Sequence, residues 1–198
     1  MISAYLKPSV VKIITPLCRV LLKMGVTANS MTIVGTSMVI IGSVTLLAPG
    51  RLLAALIVIG LALLTDLLDG TMARISKAGP SKWGNFLDST LDRVADAAVL
   101  LSLSYYLYTE EDSLFLIAMI TSAVSSLVPY ARAKAESLGI ECKGGFAERP
   151  ERLLILGASG AIYLAGIDLA LDFGVWALLI TSTLTVLQRM KLVWSATR

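Results

Sequence analysis

The sequence predicts an all-α integral membrane protein, with six transmembrane helices behind an N-terminal amphipathic helix lying in the membrane interface. Three observations carry that reading. Hydrophobic residues make up 56% of the 198-residue chain and charged residues only 16%, where soluble domains carry about 25% charged residues. The mean hydropathy is +0.79. The apolar residues also come in continuous runs, unlike the alternation of barrel strands.

Taken in order, the chain opens with a basic amphipathic stretch from about Tyr5 to Met24, within residues 1–25. Val10, Ile14, Leu17 and Leu21 recur at helical spacing, and Lys12, Arg19 and Lys23 fall on another face. No small-residue cleavage site follows a clean apolar core, so a secretory signal is not expected. A six-helix bundle follows over 31–190. Met31–Ala48 and Ser113–Tyr130 carry no charge. Leu52–Ile75 is uncharged as far as Thr65 and then holds acids. Phe86–Tyr108 is apolar apart from Asp88, Asp92, Arg93 and Asp96. Leu153–Ile167 and Phe173–Gln188 complete the set. The glycines and the proline inside these runs are tolerated in packed membrane helices. No internal repeat is evident, and 1–198 reads as a single domain.

Lysine and arginine set the orientation. Of 17 basic residues, 15 fall on one side: in the N-terminal segment, in the second and fourth inter-helix regions (Lys77, Lys143) and at the C-terminal end. Arg51 alone sits opposite, with Glu110, Glu111, Asp112, Asp168 and Asp172, and Arg93 lies within a span. Both termini are therefore expected to be cytoplasmic, in a multi-pass protein of the cell membrane.

The chain has no histidine, which excludes histidine bases, triads and histidine-ligated zinc. Cys18 and Cys142 are far apart and read as free thiols. The acids carry the chemistry. Asp66 and Asp69 share a helix face near the end of the second span, and Asp88 and Asp92 share one near the start of the third. The loop between is short, so the two helices are expected to be antiparallel neighbours whose acids converge. Four carboxylates in a low-dielectric setting repel one another and call for a divalent cation or two. An oxygen-only donor set favours Mg²⁺, Mn²⁺ or Ca²⁺, and a metal pair suits phosphoryl displacement. Gly70 leaves room beside Asp69, and the guanidinium of Arg74 suits a diphosphate.

The run Asp66-x-x-Asp69-Gly70-x-x-Ala73-Arg74, then Gly84-x-x-x-Asp88-x-x-x-Asp92, resembles the signature of the CDP-alcohol phosphotransferases, with nine residues between Arg74 and Gly84 in place of the usual eight. The resemblance implies a six-helix membrane enzyme, a homodimer, with two Mg²⁺ or Mn²⁺ ions per protomer. Asp66, Asp69, Asp88 and Asp92 would be metal ligands, with Asp92 also the general base. Asp69, Gly70, Ala73, Arg74 and Gly84 would meet a CDP-lipid donor. Thr27-Ala28-Asn29-Ser30-Met31-Thr32 is similar to another element of the family, which brings Asn29 and Thr32 to the donor. It also reads as a helix N-cap.

Tyr130-Ala131-Arg132-Ala133-Lys134-Ala135-Glu136, Glu148-Arg149-x-x-Arg152-Leu153 and Leu187-Gln188-Arg189 narrow the resemblance to the prokaryotic phosphatidylinositol phosphate synthases. Pro129-Tyr130-Ala131-Arg132 stands where that subfamily shows Ser-Tyr-x-Lys. The implied substrates are CDP-diacylglycerol and inositol 1-phosphate, among membrane lipids and with no nucleic-acid partner. Arg132, Arg149, Arg152 and Arg189 sit at cytoplasmic helix ends and could bind the acceptor's phosphate bidentately. Glycerol 3-phosphate is the alternative acceptor, as in a phosphatidylglycerophosphate synthase. A transporter would place acids at the midplane of an inverted repeat, and neither feature is present in the sequence. Asp96, outside the signature, reads as an ion-pair partner of Arg93 or Arg74.

Overall fold

Helices form wherever the apolar runs lie, and their ends are set by local capping. The computed structural model describes residues 2–76, 79–142, 144–145 and 148–198, with side chains from Val11 onward except Lys12. Val10, Lys7, Lys12, Lys77 and Lys143 of the sequence reading lie outside the described side chains. The helices are α1 (Ile2–Lys23), α2 (Ala28–Gly42), α3 (Leu52–Ile75), α4 (Lys82–Thr109), α5 (Leu114–Ser137), α6 (Arg149–Leu164) and α7 (Leu169–Ala196). A π-helical turn, Ser43–Leu47, prolongs α2. Thr27 caps α2 through a reciprocal pair with Ser30, and the Ser81 hydroxyl accepts the Gly84 N–H at 2.9 Å to start α4. Pro150 sits in the first turn of α6, where its missing N–H costs nothing.

Four segments are long and apolar enough to cross a membrane: Ala28–Leu47, Leu52–Ile75, Leu114–Ser137 and Leu169–Ala196. The all-α membrane class is thus as expected. The remaining two helices differ for physical reasons. α6 has 16 residues, so it rises only about 24 Å. α4 is long enough but carries Asp88, Asp92, Arg93 and Asp96.

Large apolar residues face outward, as lipid solvation permits. On α3, Leu53, Ile57, Leu61 and Leu64 are all more than half exposed and form one stripe. The opposite face buries Ala55, Ala62 and Asp69, spaced by sevens, so two helical turns separate each from the next. The same repeat that turns the alanines inward turns Asp69 inward. α1 docks on α3 through Cys18, whose thiol faces the Leu68 carbonyl at 3.7 Å. Its exposed apolar stripe is Ile13, Leu17, Val20 and Met24, so of the expected stripe Ile14 and Leu21 turn toward the protein.

The largest correction concerns α3 and α4. They are not packed neighbours. Among the described residues α2 packs against both, while α3 and α4 scarcely meet. Val39 of α2, Ala62 of α3 and Ala95 and Val99 of α4 form a buried apolar floor beneath the gap between them. A second core of Leu103, Tyr106, Leu107, Leu114, Ala118, Leu171 and Val175 ties α4, α5 and α7 together at the opposite end.

Gly35 fixes how closely α2 approaches α3, since a Cβ there would run into the Thr65 side chain. Gly35→Val is expected to overpack this contact and lower stability by about 1–3 kcal/mol. Thermal unfolding of the purified protein in detergent would check it, and an unchanged midpoint would refute the close-contact account.

Candidate active site

The gap between α3 and α4 is flanked by two polar clefts. The first has a volume of about 470 Å³ and is lined by Asn29, Thr32, Asp69, Gly70, Ala73, Arg74, Gly84 and Asp88. All seven residues expected to meet a CDP-lipid donor therefore line one cavity. The Thr32 hydroxyl, with the Ala28 carbonyl 3.1 Å away, donates to Asp69 Oδ2 at 2.6 Å and holds that carboxylate in place. No atom would meet a Cβ at Gly70, so its missing side chain leaves open space. At Gly84 a Cβ would stand 2.9 Å from Asn29 Oδ1 and 3.0 Å from Ser81 Oγ, so only glycine lets the first turn of α4 lie this close to Asn29. Arg74 is exposed at the rim, with Nη2 3.2 Å from Thr71 Oγ1.

The second cleft has a volume of about 620 Å³ and is lined by Arg132, Arg149, Arg152 and Arg189 together with Asn85, Ser89, Arg93, Tyr130, Glu136 and Glu148. Five arginines on four helices meet there. Asn85 lines both clefts and joins them. Asn85, Ser89 and Arg93 recur every four residues along α4, a polar stripe inside an apolar run, which was the legible signal that sequence reasoning passed over.

The four arginines expected to bind phosphate are not equivalent. Arg132 pairs with Glu136 one turn along α5, Nε to Oε1 2.8 Å. Arg189 is 4% exposed. Its Nη1 donates to the Val128 carbonyl and its Nη2 to the Gly144 carbonyl at 3.2 Å, which ties α7 to α5 and to the loop before α6. Arg189 Nε has no partner among the described residues. Arg149 and Arg152 lie one turn apart at the start of α6 and share a face.

The remaining acids gather around the arginines of α6. Arg149 Nη1 stands 2.5 Å from Asp66 Oδ2 and 2.7 Å from Asp92 Oδ1, and its Nε is 3.5 Å from Asp96 Oδ1. Arg152 Nη2 donates to Asp96 Oδ2 at 2.7 Å. Asp96 therefore pairs with the α6 arginines and not with Arg93 or Arg74 as expected.

The four signature acids thus divide. Asp69 and Asp88 face the first cleft, and Asp66 and Asp92 share the Arg149 guanidinium. Among the described residues no three acids already converge as a set of metal ligands, and the Arg149 guanidinium stands between Asp66 and Asp92. The donor set nevertheless fits a hard divalent cation. It is all oxygen, and one guanidinium nitrogen already lies within 2.7 Å of carboxylates from two helices.

Loss of the Thr32 hydroxyl isolates the contribution of Asp69's orientation. Thr32→Val is expected to lower kcat/KM for the lipid donor about tenfold, the effect of one charge-assisted hydrogen bond. Steady-state kinetics with varied donor would check it, and unchanged kinetics would show that Asp69 needs no such support.

Residues 25–187 match the family model for CDP-alcohol phosphatidyltransferase. The chain is 36% identical over 191 residues to the phosphatidylinositol phosphate synthase of Mycobacterium tuberculosis strain H37Rv, covering 93% of this chain and 87% of that one. Its fold is similar to the crystal structure of the M. tuberculosis phosphatidylinositol phosphate synthase with CDP-DAG bound, at a TM-score of 0.86 and 36% identity, covering 92% of this chain and 94% of that one. The same synthase in complex with manganese and citrate aligns at a TM-score of 0.85 with 36% identity, covering 91% of this chain and 88% of that one. The signature acids, the cleft geometry and these similarities agree: the chain belongs to the CDP-alcohol phosphatidyltransferase family of membrane enzymes.

Proposed function

We propose that the protein transfers a phosphatidyl group from CDP-diacylglycerol to inositol 1-phosphate, giving phosphatidylinositol phosphate and CMP. The observation that carries the reading is the meeting of two unlike clefts on α4, one lined by signature acids and one by arginines. The donor cleft holds Asp69, Gly70, Arg74 and Asp88, the arginine cleft suits a phosphorylated acceptor, the two meet at Asn85, and Asp92, one turn beyond Asp88 on α4, pairs with Arg149 of the arginine cleft. The relatives' names and the CDP-DAG bound to the M. tuberculosis synthase support the same substrates.

The protein's residues have separate tasks. Arg74, Gly70 and Asn29 receive the donor's nucleotide end, while its acyl chains stay beside the helices. Arg152 and Arg149 hold the acceptor's phosphate, and Arg132 adds charge at the cleft edge. Asp92 takes the proton of the acceptor hydroxyl. The freed oxygen forms a bond to the lipid-linked phosphorus, and the bond from that phosphorus to CMP breaks. Asp66, Asp69, Asp88 and Asp92 would hold two divalent ions, Mg²⁺ or Mn²⁺, which would supply charge neutralisation at the diphosphate. The manganese in the M. tuberculosis complex supports such an ion.

In this reading the bundle crosses the membrane six times, with α4 and α6 as the two spans beyond the four long apolar ones. Both termini and the clefts face the cytoplasm, α1 lies in the interface, and two copies form a homodimer. A CMP-release assay with CDP-diacylglycerol and a panel of inositol 1-phosphate, inositol, glycerol 3-phosphate and serine tests it. Preference for inositol 1-phosphate is expected. Preference for glycerol 3-phosphate would overturn the acceptor assignment and make the protein a phosphatidylglycerophosphate synthase.

A further inference from the structure

Arg149 has two sets of partners that it cannot serve at once. Its guanidinium bridges Asp66 and Asp92 at 2.5 and 2.7 Å, and it also forms a wall of the arginine cleft. A divalent cation held by Asp66 and Asp92 needs the oxygen lone pairs that Arg149 now faces. Bonds of about 2.0–2.1 Å leave no place for a guanidinium nitrogen between the same two carboxylates. Two cations at one spot also repel. An anionic phosphate in the cleft has the opposite effect, because it offers the guanidinium a bidentate partner away from the acids. Arg152 differs from Arg149 in this respect. It pairs with Asp96, which is outside the signature, so a cation on Asp66 and Asp92 does not compete for its partner.

We propose that Arg149 is an internal counter-cation: it occupies the Asp66–Asp92 pair in the resting protein, and the acceptor's phosphate draws it out, so that divalent metal and acceptor phosphate bind cooperatively. The inference rests on the transferase reading above. Linkage makes the effect reciprocal: phosphate tightens metal binding by the same factor by which metal tightens phosphate binding. The device keeps the acid pair neutralised until an acceptor arrives, which disfavours a fully charged site in which only water could attack the donor.

The test needs no turnover. Mn²⁺ is titrated into the purified full-length protein and free Mn²⁺ is followed by electron paramagnetic resonance. Inositol 1-phosphate is the probe, and protein-free blanks correct for its own Mn²⁺ binding. Wild-type protein is expected to bind Mn²⁺ about tenfold more tightly with the probe than without, within the usual range of coupling between sites. Arg149→Gln is expected to bind Mn²⁺ about tenfold more tightly than wild type without the probe and to lose the probe's effect. Equal probe-free affinities in Arg149→Gln and wild type would overturn the proposal.

If Arg149→Gln does not fold, the reciprocal measurement on wild type decides. Probe affinity by equilibrium dialysis must rise with Mn²⁺ by the same factor, and no rise would overturn the proposal. Wild-type protein that releases CMP yet shows no coupling sinks the switch alone. Protein that releases no CMP with any acceptor sinks the transferase reading, and the switch with it.

Discussion

Asp92→Asn is expected to abolish CMP release while leaving the bundle folded. The amide keeps the shape of the carboxylate, and its oxygen can still accept from Arg149 at the wild-type 2.7 Å. It cannot take a proton from the acceptor hydroxyl, and general-base catalysis contributes about 10²–10⁴-fold. It is also a weaker metal ligand, so the loss should reach the upper end of that range. Asp92 sits on the face of α4 that continues into Ala95 and Val99, the buried floor. The amide fills the same volume as the carboxylate there, so packing against that floor is kept. CMP release and thermal unfolding should be read together on the same preparation. Activity within tenfold of wild type would remove Asp92 from the role of base.

Arg152→Met is expected to raise the KM for the phosphorylated acceptor about 10–100-fold, the worth of one charge-assisted contact, and to leave the donor KM nearly unchanged. It should also cost stability. Arg152 is 7% exposed, and Asp96 would lose its 2.7 Å partner, keeping only Arg149 Nε at 3.5 Å. Removing one member of a buried pair costs more than removing both. The double variant Asp96→Asn with Arg152→Met should therefore recover much of the lost stability and none of the acceptor affinity. Initial-rate kinetics and thermal midpoints on the three proteins separate the two roles. Recovery of acceptor affinity in the double variant would show that Arg152 acts only by holding Asp96.

The helical architecture was legible because the apolar runs are continuous and their breaks fall at Gly25, Gly50 and Gly79 or at the charged stretches. The donor cleft was legible too. Its residues are spaced by three and four along α3 and α4, and a spacing of that kind fixes which side chains share a face. What could not be read was the relation between faces of different helices. The short Ser76–Ser81 connection suggested that α3 and α4 pack together, yet α2 holds them apart. The partners of Asp96 were missed for the same reason. Arg93 is close in sequence, but Arg152 reaches Asp96 across 56 residues, and no local pattern reports such a meeting. Arg189 lines the arginine cleft, where its charge and position in the sequence put it. Its ties to two backbone carbonyls, by contrast, are a property of how α7, α5 and the loop before α6 pack.

The outward stripe of α3 has a consequence for how a two-tailed substrate is handled. Leu53, Ile57, Leu61 and Leu64 present an exposed apolar stripe that ends two residues before Asp66. A lipid lying along that stripe brings its phosphate level with the acids while its tails remain dissolved in the bilayer. Pulling each methylene into water would cost about 0.8 kcal/mol, which for one long acyl chain exceeds 10 kcal/mol. In the proposed reaction the substrate would not meet that solubility barrier, because acids at the end of an apolar stripe would be reached by a lipid drifting sideways within the bilayer.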